Sequence, residues 1–218
     1  MIKMMKDLAR ETVNLLPAKW ERELYWFKNR MSRARAIRKW EINGKPSPPP
    51  HQYKQFVVRS TAKKKGLKNF VETGTFRGKM IESQRKTFKN LYSIELDVFL
   101  YNNPRKYFVP FSHVQLFQGD SATVLTAVLK SIKQPILFWL DGHYCGEGTG
   151  MSDVECPVLA ELKTIFENFI VGSYILIDDA RLFIGKNDYP TIEEIGNFIK
   201  SNNVQLKVFV LNDIVHIH

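Results

Sequence analysis

With 218 residues, 44% hydrophobic and 25% charged, the chain has the makeup of one globular domain with an appended segment, which excludes a disordered or collagen-like polymer. No apolar run reaches the roughly 18 residues of a membrane-crossing helix, and the N-terminus has no signal-peptide pattern, so a cytoplasmic location is expected. The net charge of +10 is uneven: residues 1–90 hold 23 Lys and Arg against 7 Asp and Glu, whereas residues 91–218 hold 9 against 15. A basic front half and an acidic rear half imply an anionic partner for the first and a site for the second.

Residues 1–42 carry Leu15, Leu16, Trp20, Leu24, Phe27 and Met31 near helical spacing, interleaved with arginines and lysines, and predict a basic amphipathic helix. The proline-rich stretch from Gly44 to Pro50 ends it, because proline runs favour extended backbone. This places a boundary between a basic helical extension, 1–50, and a domain, 51–218. Within the domain, helices are predicted over 53–65, 79–88, 98–107, 122–131, 157–169 and 191–201. Strands are predicted over 69–72, 90–95, 114–118, 135–140, 173–177, 206–211 and 214–217, the last two joined by Asn212-Asp213 as a hairpin turn. Pro135 to Leu140 is almost continuously apolar, as a strand buried on both faces must be. The alternation gives an α/β, Rossmann-like, doubly wound and mostly parallel sheet with a C-terminal antiparallel hairpin. Ligands of such sheets bind outside the carboxyl ends of the strands.

Those ends hold the chemistry. Glu72-Thr73-Gly74-Thr75-Phe76-Arg77-Gly78 links the first strand to a helix, where glycines allow close backbone approach and a helix N-terminus offers free N–H donors. The second strand ends in Glu95, where a carboxylate accepts a ribose diol, and the third leads to Asp120 and Ser121. Asp141 closes the fourth strand, and Asp178 with Asp179 closes the fifth. Three carboxylates in one cleft raise one another's pKa unless a cation neutralises them. Oxygen-only ligation suits Mg2+, and Arg181 is an alternative source of positive charge.

The ordered series ETGTFRG, SIEL, GDSA, FWLDGHY and ILIDDAR resembles class I S-adenosylmethionine-dependent methyltransferases, especially bacterial methyltransferase-like proteins of glycan and natural-product pathways. The resemblance spans about Pro48 to Pro190. It implies that Glu72, Thr73, Gly74, Thr75 and Gly78 surround the methionine part of S-adenosyl-L-methionine. Glu95 then holds the ribose, and Asp120, Ser121 and Asp141 complete the cofactor site. Phe76 stands where many class I enzymes carry glycine, and the resulting pattern is similar to that of catechol-type, metal-dependent O-methyltransferases. That similarity implies Mg2+ on Asp141, Asp178 and Asp179, and a catalytic base. His143 is the first candidate, and because Tyr144 occupies the place of the catechol-type lysine, Asp141 or Tyr144 itself could also serve.

The expected activity is metal-assisted O-methylation of a hydroxyl on a glycan, glycolipid or small molecule. An RNA methyltransferase and a binding protein without turnover are the alternatives. The basic extension has three open fates: packing on the domain through Trp20, Tyr25, Trp26, Phe27 and Trp40, peripheral contact with an anionic membrane, or contact with nucleic acid. Cys145 and Cys156 are expected to be reduced thiols, and a zinc site formed by them with His143 lacks the usual ligand spacing. The loop 145–157 is read as a lid or substrate wall, where Glu147 and Thr149 are either substrate contacts or simply solvated residues.

Overall fold

The computed structural model describes residues 18–142, 156–202 and 205–218. Helix α1 (Ala18–Ile42) precedes α2 (His51–Lys65), and then strand and helix alternate: β1 (Asn69–Thr73), α3 (Lys79–Gln84), β2 (Asn90–Glu95), α4 (Val98–Phe108), β3 (Val114–Gln118), α5 (Ser121–Lys130), β4 (Ile136–Leu140), α6 (Val158–Glu167) and β5 (Tyr174–Ile177). A single 3-10 turn at Ala180–Leu182, helix α7 (Ile192–Ser201) and the hairpin β6 (Val208–Leu211) and β7 (Ile214–Ile217) complete the chain.

The seven strands lie in the order β3-β2-β1-β4-β5-β7-β6, with β1 to β5 parallel and β7 antiparallel to both neighbours. The chain winds outward from β1 to β3 and returns to place β4 against β1, so the switch point lies between those two strands. Each central strand supplies both faces of the sheet. Leu137 and Trp139 of β4 pack with Val58 of α2 and Ile81 of α3, whereas Ile136, Phe138 and Leu140 pack with Leu125 of α5, Leu162 of α6 and Ile195 of α7. This two-sided burial is the physical source of the unbroken apolar runs.

Register brings the strand ends level. Thr73 pairs with Ile94 on one side and Leu140 on the other, and Leu140 pairs with Ile177. Gly74, Glu95, Asp141 and Asp178 each stand one residue beyond those positions and therefore emerge along one rim.

Helix α3 stops at Gln84, short of the predicted 88, because the chain turns there, with the amides of Thr87 and Phe88 both donating to the Gln84 carbonyl. The proline-rich stretch is a packed corner. The Trp40 indole donates to the Pro46 carbonyl at 2.8 Å, Trp40 lies 4.4 Å from the Tyr53 ring, and Pro49 is buried. Helix α1 docks through Glu23, which takes the buried Arg85 guanidinium at 2.7 Å and pairs with Lys86, whose ammonium also covers the Trp26 ring. Packing on the domain is thus one role of this helix, although Trp20 remains 62% exposed. Among the described residues no helix is long and apolar enough to cross a membrane.

Candidate active site at the strand ends

The turn after β1 is built on left-handed backbone. Gly74, Phe76 and Gly78 have φ of 83°, 46° and 67°. A Cβ on Gly74 would collide with the carbonyl of Asp141, so glycine here lets β1 and β4 close on each other. A Cβ on Gly78 would meet the Phe108 ring of α4 at 2.9 Å. Both glycines are thus also fixed by main-chain and side-chain packing, beside the ligand approach that the sequence suggests. Phe76 holds a conformation that glycine adopts without cost, and the residue is 46% exposed.

Two carboxyls lock this turn. The Glu95 side chain, at the end of β2, accepts the amide of Phe76 at 2.7 Å and that of Asp97 at 3.1 Å. Burial nevertheless raises its pKa, with the two amides pulling the other way. Glu72 is 1% exposed and accepts from the Ser93 hydroxyl at 2.7 Å, and that oxygen lies 2.6 Å from the Thr75 hydroxyl. Burial pushes the Glu72 carboxyl well above its ordinary range, the Ser93 bond opposes this, and the charges of Asp141 and Glu95 add to it. Thr73 bonds the amide of Asp141 through its carbonyl at 3.1 Å, joining β1 to the end of β4.

Asp120 caps α5 by accepting the Thr123 amide at 3.1 Å, and Ser121 donates to Glu161. Glu161, only 1% exposed, also stands 3.2 Å from where a Cβ on Gly142 would lie. It is a buried carboxyl at the rim that the sequence reading passed over. The signal was present, since Glu161 sits in the apolar stripe of α6 between Val158 and Leu162.

Past β5 the carboxylates meet cations. The Lys54 ammonium, carried by α2, lies 2.7 Å from Asp178 Oδ2 and 2.8 Å from Asp179 Oδ1. Asp178 Oδ1 accepts the Asp179 amide at 2.8 Å, and Asp179 itself has φ of 55°. Arg181 donates to Asp179 at 2.7 Å and pairs with Asp213 of the β6–β7 turn. Burial alone would lower the Lys54 pKa, but Asp178 and Asp179 outweigh it and hold the amine protonated above its ordinary value. For Asp178, burial and then Asp141 raise the carboxyl, and Lys54 works against them.

Asp178 and Asp179 thus do come together, and Asp141 lies near enough to act on Asp178, but the cation expected as Mg2+ is supplied by Lys54, with Arg181 beside it. Among the described residues no group of three His, Cys, Asp or Glu side chains is arranged to hold a metal ion. The donor set as placed therefore does not fit a divalent metal. Lys54 carried no signal in the sequence, since a lysine in a basic helix reads as solvated.

The turn between β6 and β7 closes the arrangement. Asn212 and Asp213 have φ of 48° and 64°, the paired left-handed residues that a two-residue hairpin requires. Asp213 holds Arg181, and Asn212 donates to the Tyr53 hydroxyl at 2.5 Å, next to Lys54 in sequence.

A cavity of about 210 Å3 opens between α1, α2 and α3, lined by Arg33, His51, Gln52, Lys79, Glu82 and Ser83 among others. His51 stands one turn before Lys54 on α2. Burial, with help from Lys54 and Lys79, depresses its pKa to about 4, so the imidazole is neutral at physiological pH. Cys156 is a buried free thiol that burial pushes to about 12, which keeps it protonated. His143, Tyr144, Cys145, Glu147 and Thr149 lie outside the described residues.

No protein-family model and no curated protein sequence matches the chain. Its fold is similar to that of the S-adenosylhomocysteine-bound methyltransferase PaMTH1 from Podospora anserina, at 16% identity and a TM-score of 0.52, over 100% of this chain and 96% of that one. It is also similar to an O-methyltransferase from Bacillus cereus in complex with S-adenosylhomocysteine, at 11% identity and a TM-score of 0.55 over 86% and 90% of the two chains. A third similar structure is TomG from Streptomyces achromogenes, an O-methyltransferase involved in tomaymycin synthesis, in complex with S-adenosylmethionine, at 12% identity and a TM-score of 0.55 over 85% and 87%. At these identities the likeness establishes the fold: this chain has the Rossmann-like fold of S-adenosylmethionine-dependent methyltransferases.

Proposed function

We propose that the protein transfers a methyl group from S-adenosylmethionine to a hydroxyl oxygen of a glycan, glycolipid or small molecule. The observation that carries this reading is the locked turn after β1. Gly74, Phe76 and Gly78 are left-handed, and the Phe76 amide is fixed on the Glu95 carboxylate at the end of β2, one strand from the switch point of the sheet.

The character of these groups fits the cofactor. The turn leads into the N-terminus of α3, which favours a carboxylate, and Glu95 supplies the acidic group that a ribose diol needs. Asp120 and Ser121 flank the next strand end. When bound, the cofactor supplies a methyl group made electrophilic by its sulfonium.

The chain's own contribution is to position and deprotonate the acceptor. Burial and the neighbouring Asp141 raise the proton affinity of Asp178, which suits it to take the hydroxyl proton on its side-chain oxygen. The polar cavity beside α2 offers donors and acceptors of the kind that pair with several hydroxyls. Helix α1, with exposed Arg35, Arg38 and Lys39, provides a basic surface for an acceptor held at an anionic membrane.

Titration calorimetry with S-adenosylhomocysteine tests the cofactor half of this reading. Micromolar binding is expected, with a loss of about tenfold or more in Glu95→Ala. Transfer of label from methyl-labelled cofactor to a mixture of hydroxylated acceptors tests the second half. A protein that binds no S-adenosylhomocysteine would end the proposal.

A further inference from the structure

We infer that Lys54 is the resident counter-ion of the acceptor side and that methyl transfer in this protein runs without a divalent metal. The inference rests on the methyltransferase reading above and adds to it the role of a residue outside the strand-end series. The Lys54 ammonium bridges Oδ2 of Asp178 and Oδ1 of Asp179 at 2.7 and 2.8 Å, and its side chain is 12% exposed. Those are the oxygens that a hard cation would take. The remaining capacity of the pair is also engaged, since Asp178 Oδ1 accepts the Asp179 amide and Asp179 Oδ1 is shared with Arg181.

The ammonium cannot easily withdraw, because the helix that carries it is fixed at several points. The Gln55 side chain donates to the Lys79 carbonyl at 3.1 Å, the Gln84 side-chain amide donates to the Gln55 carbonyl at 2.9 Å, and Tyr53 is bonded to Asn212 and packed against the Trp40 ring. A dication entering beside a retained ammonium would meet strong like-charge repulsion at this depth. Lys54 sets the charge of Asp178 and keeps one donor toward the acceptor side.

The exchange of a dication for an ammonium changes what acceptor the site selects. A divalent ion chelates two adjacent oxygens and so favours vicinal diols. An ammonium has three donors and a single charge. Two donors are committed to Asp178 and Asp179, which leaves one for an acceptor oxygen. The matching substrate class is therefore an acceptor recognised through a single hydroxyl, with no need for a neighbouring one.

Two measurements on the full chain test this without knowledge of the acceptor. In an electron paramagnetic resonance titration with Mn2+ in the presence of S-adenosylhomocysteine, the wild type is expected to show no saturable Mn2+ binding. One equivalent of bound Mn2+ that disappears in Asp178→Asn would overturn the inference. In the second, lysines are acetylated and quantified by mass spectrometry. Lys54 is expected to react roughly tenfold more slowly than the exposed Lys63 and Lys64 of the same helix, with no change on adding millimolar Mg2+. Labelling of Lys54 that rises to the rate of Lys63 when Mg2+ is added would show displacement by metal and overturn it. Binding of S-adenosylhomocysteine, measured on the same sample, separates the two readings: its absence ends the methyltransferase proposal and leaves the metal result standing.

Discussion

Two clusters of buried carboxyls face each other across the strand ends, and they are stabilised in opposite ways. At the turn after β1, Glu72 and Glu95 are held by a hydroxyl and by backbone amides, and both have raised pKa values. Beyond β5, Asp178, Asp179 and Asp213 are held by the charges of Lys54 and Arg181. Dipoles leave the first cluster's carboxyls without a full opposing charge. Full charges close the second around its own cations. The comparison teaches that the acidity of this rim, uniform in sequence, divides into an open half and a closed half once partners are known.

The largest expected effect comes from breaking the joint between the halves. Gly74→Ala combines a left-handed backbone with a collision against the Asp141 carbonyl, and should cost about 4 kcal/mol or prevent folding, as read by urea denaturation. A loss below about 1 kcal/mol would mean that the two strand ends are not in contact. Removing the ammonium from the closed half comes next. Lys54→Ala strands a carboxylate with 3% side-chain exposure and should cost about 3 kcal/mol at neutral pH. In that variant burial and Asp141 act on Asp178 unopposed. A carboxyl whose folded pKa is raised contributes stability below its unfolded value and loses it as pH rises through the folded value. The deficit should therefore shrink on acidification, and a deficit independent of pH would contradict the charge account.

The open half predicts the reverse sign. Glu72→Gln keeps an acceptor for Ser93 and removes the cost of ionising a carboxyl that burial holds well above its ordinary value of 4.5. It should stabilise the fold by about 1 kcal/mol at mildly alkaline pH, and the gain should vanish below pH 4.5, where Glu72 is protonated in both states. Thermal melts across pH would settle it, and destabilisation at every pH would mean that the carboxylate is paired with a charge. The smallest effect is expected for Arg181→Ala. Its side chain is 37% exposed, so solvent screens the pair and the loss should be about 1 kcal/mol or less. A loss matching that of Lys54→Ala would erase the distinction between a buried and a peripheral cation.

The strands were legible because burial on both faces leaves short unbroken apolar runs, such as Ile136 to Leu140, bounded by turn residues. Asp141 and Asp178 were legible for a related reason, since each is the first polar residue after such a run. Their partners were not. Lys54 and Asp178 are 124 positions apart, and nothing local distinguishes Lys54 from Lys63 on the same helix. Asp213 was legible only as a turn residue, because Asn-Asp between apolar strands has a sufficient conformational reason to exist. The glycines show the converse: their positions were evident, but what presses on them depended on where β4 and α4 would lie.

The hairpin turn at Asn212-Asp213 touches both cations of the closed half, one directly through Arg181 and the other through Tyr53, the residue before Lys54. The last eleven residues of the chain are thus a clasp that holds the charge setting of a site whose chemistry lies on other strands. Changes in this turn would retune the proton affinity of Asp178 from a distance, and in the proposed reaction that alters the base while leaving the residues around it in place.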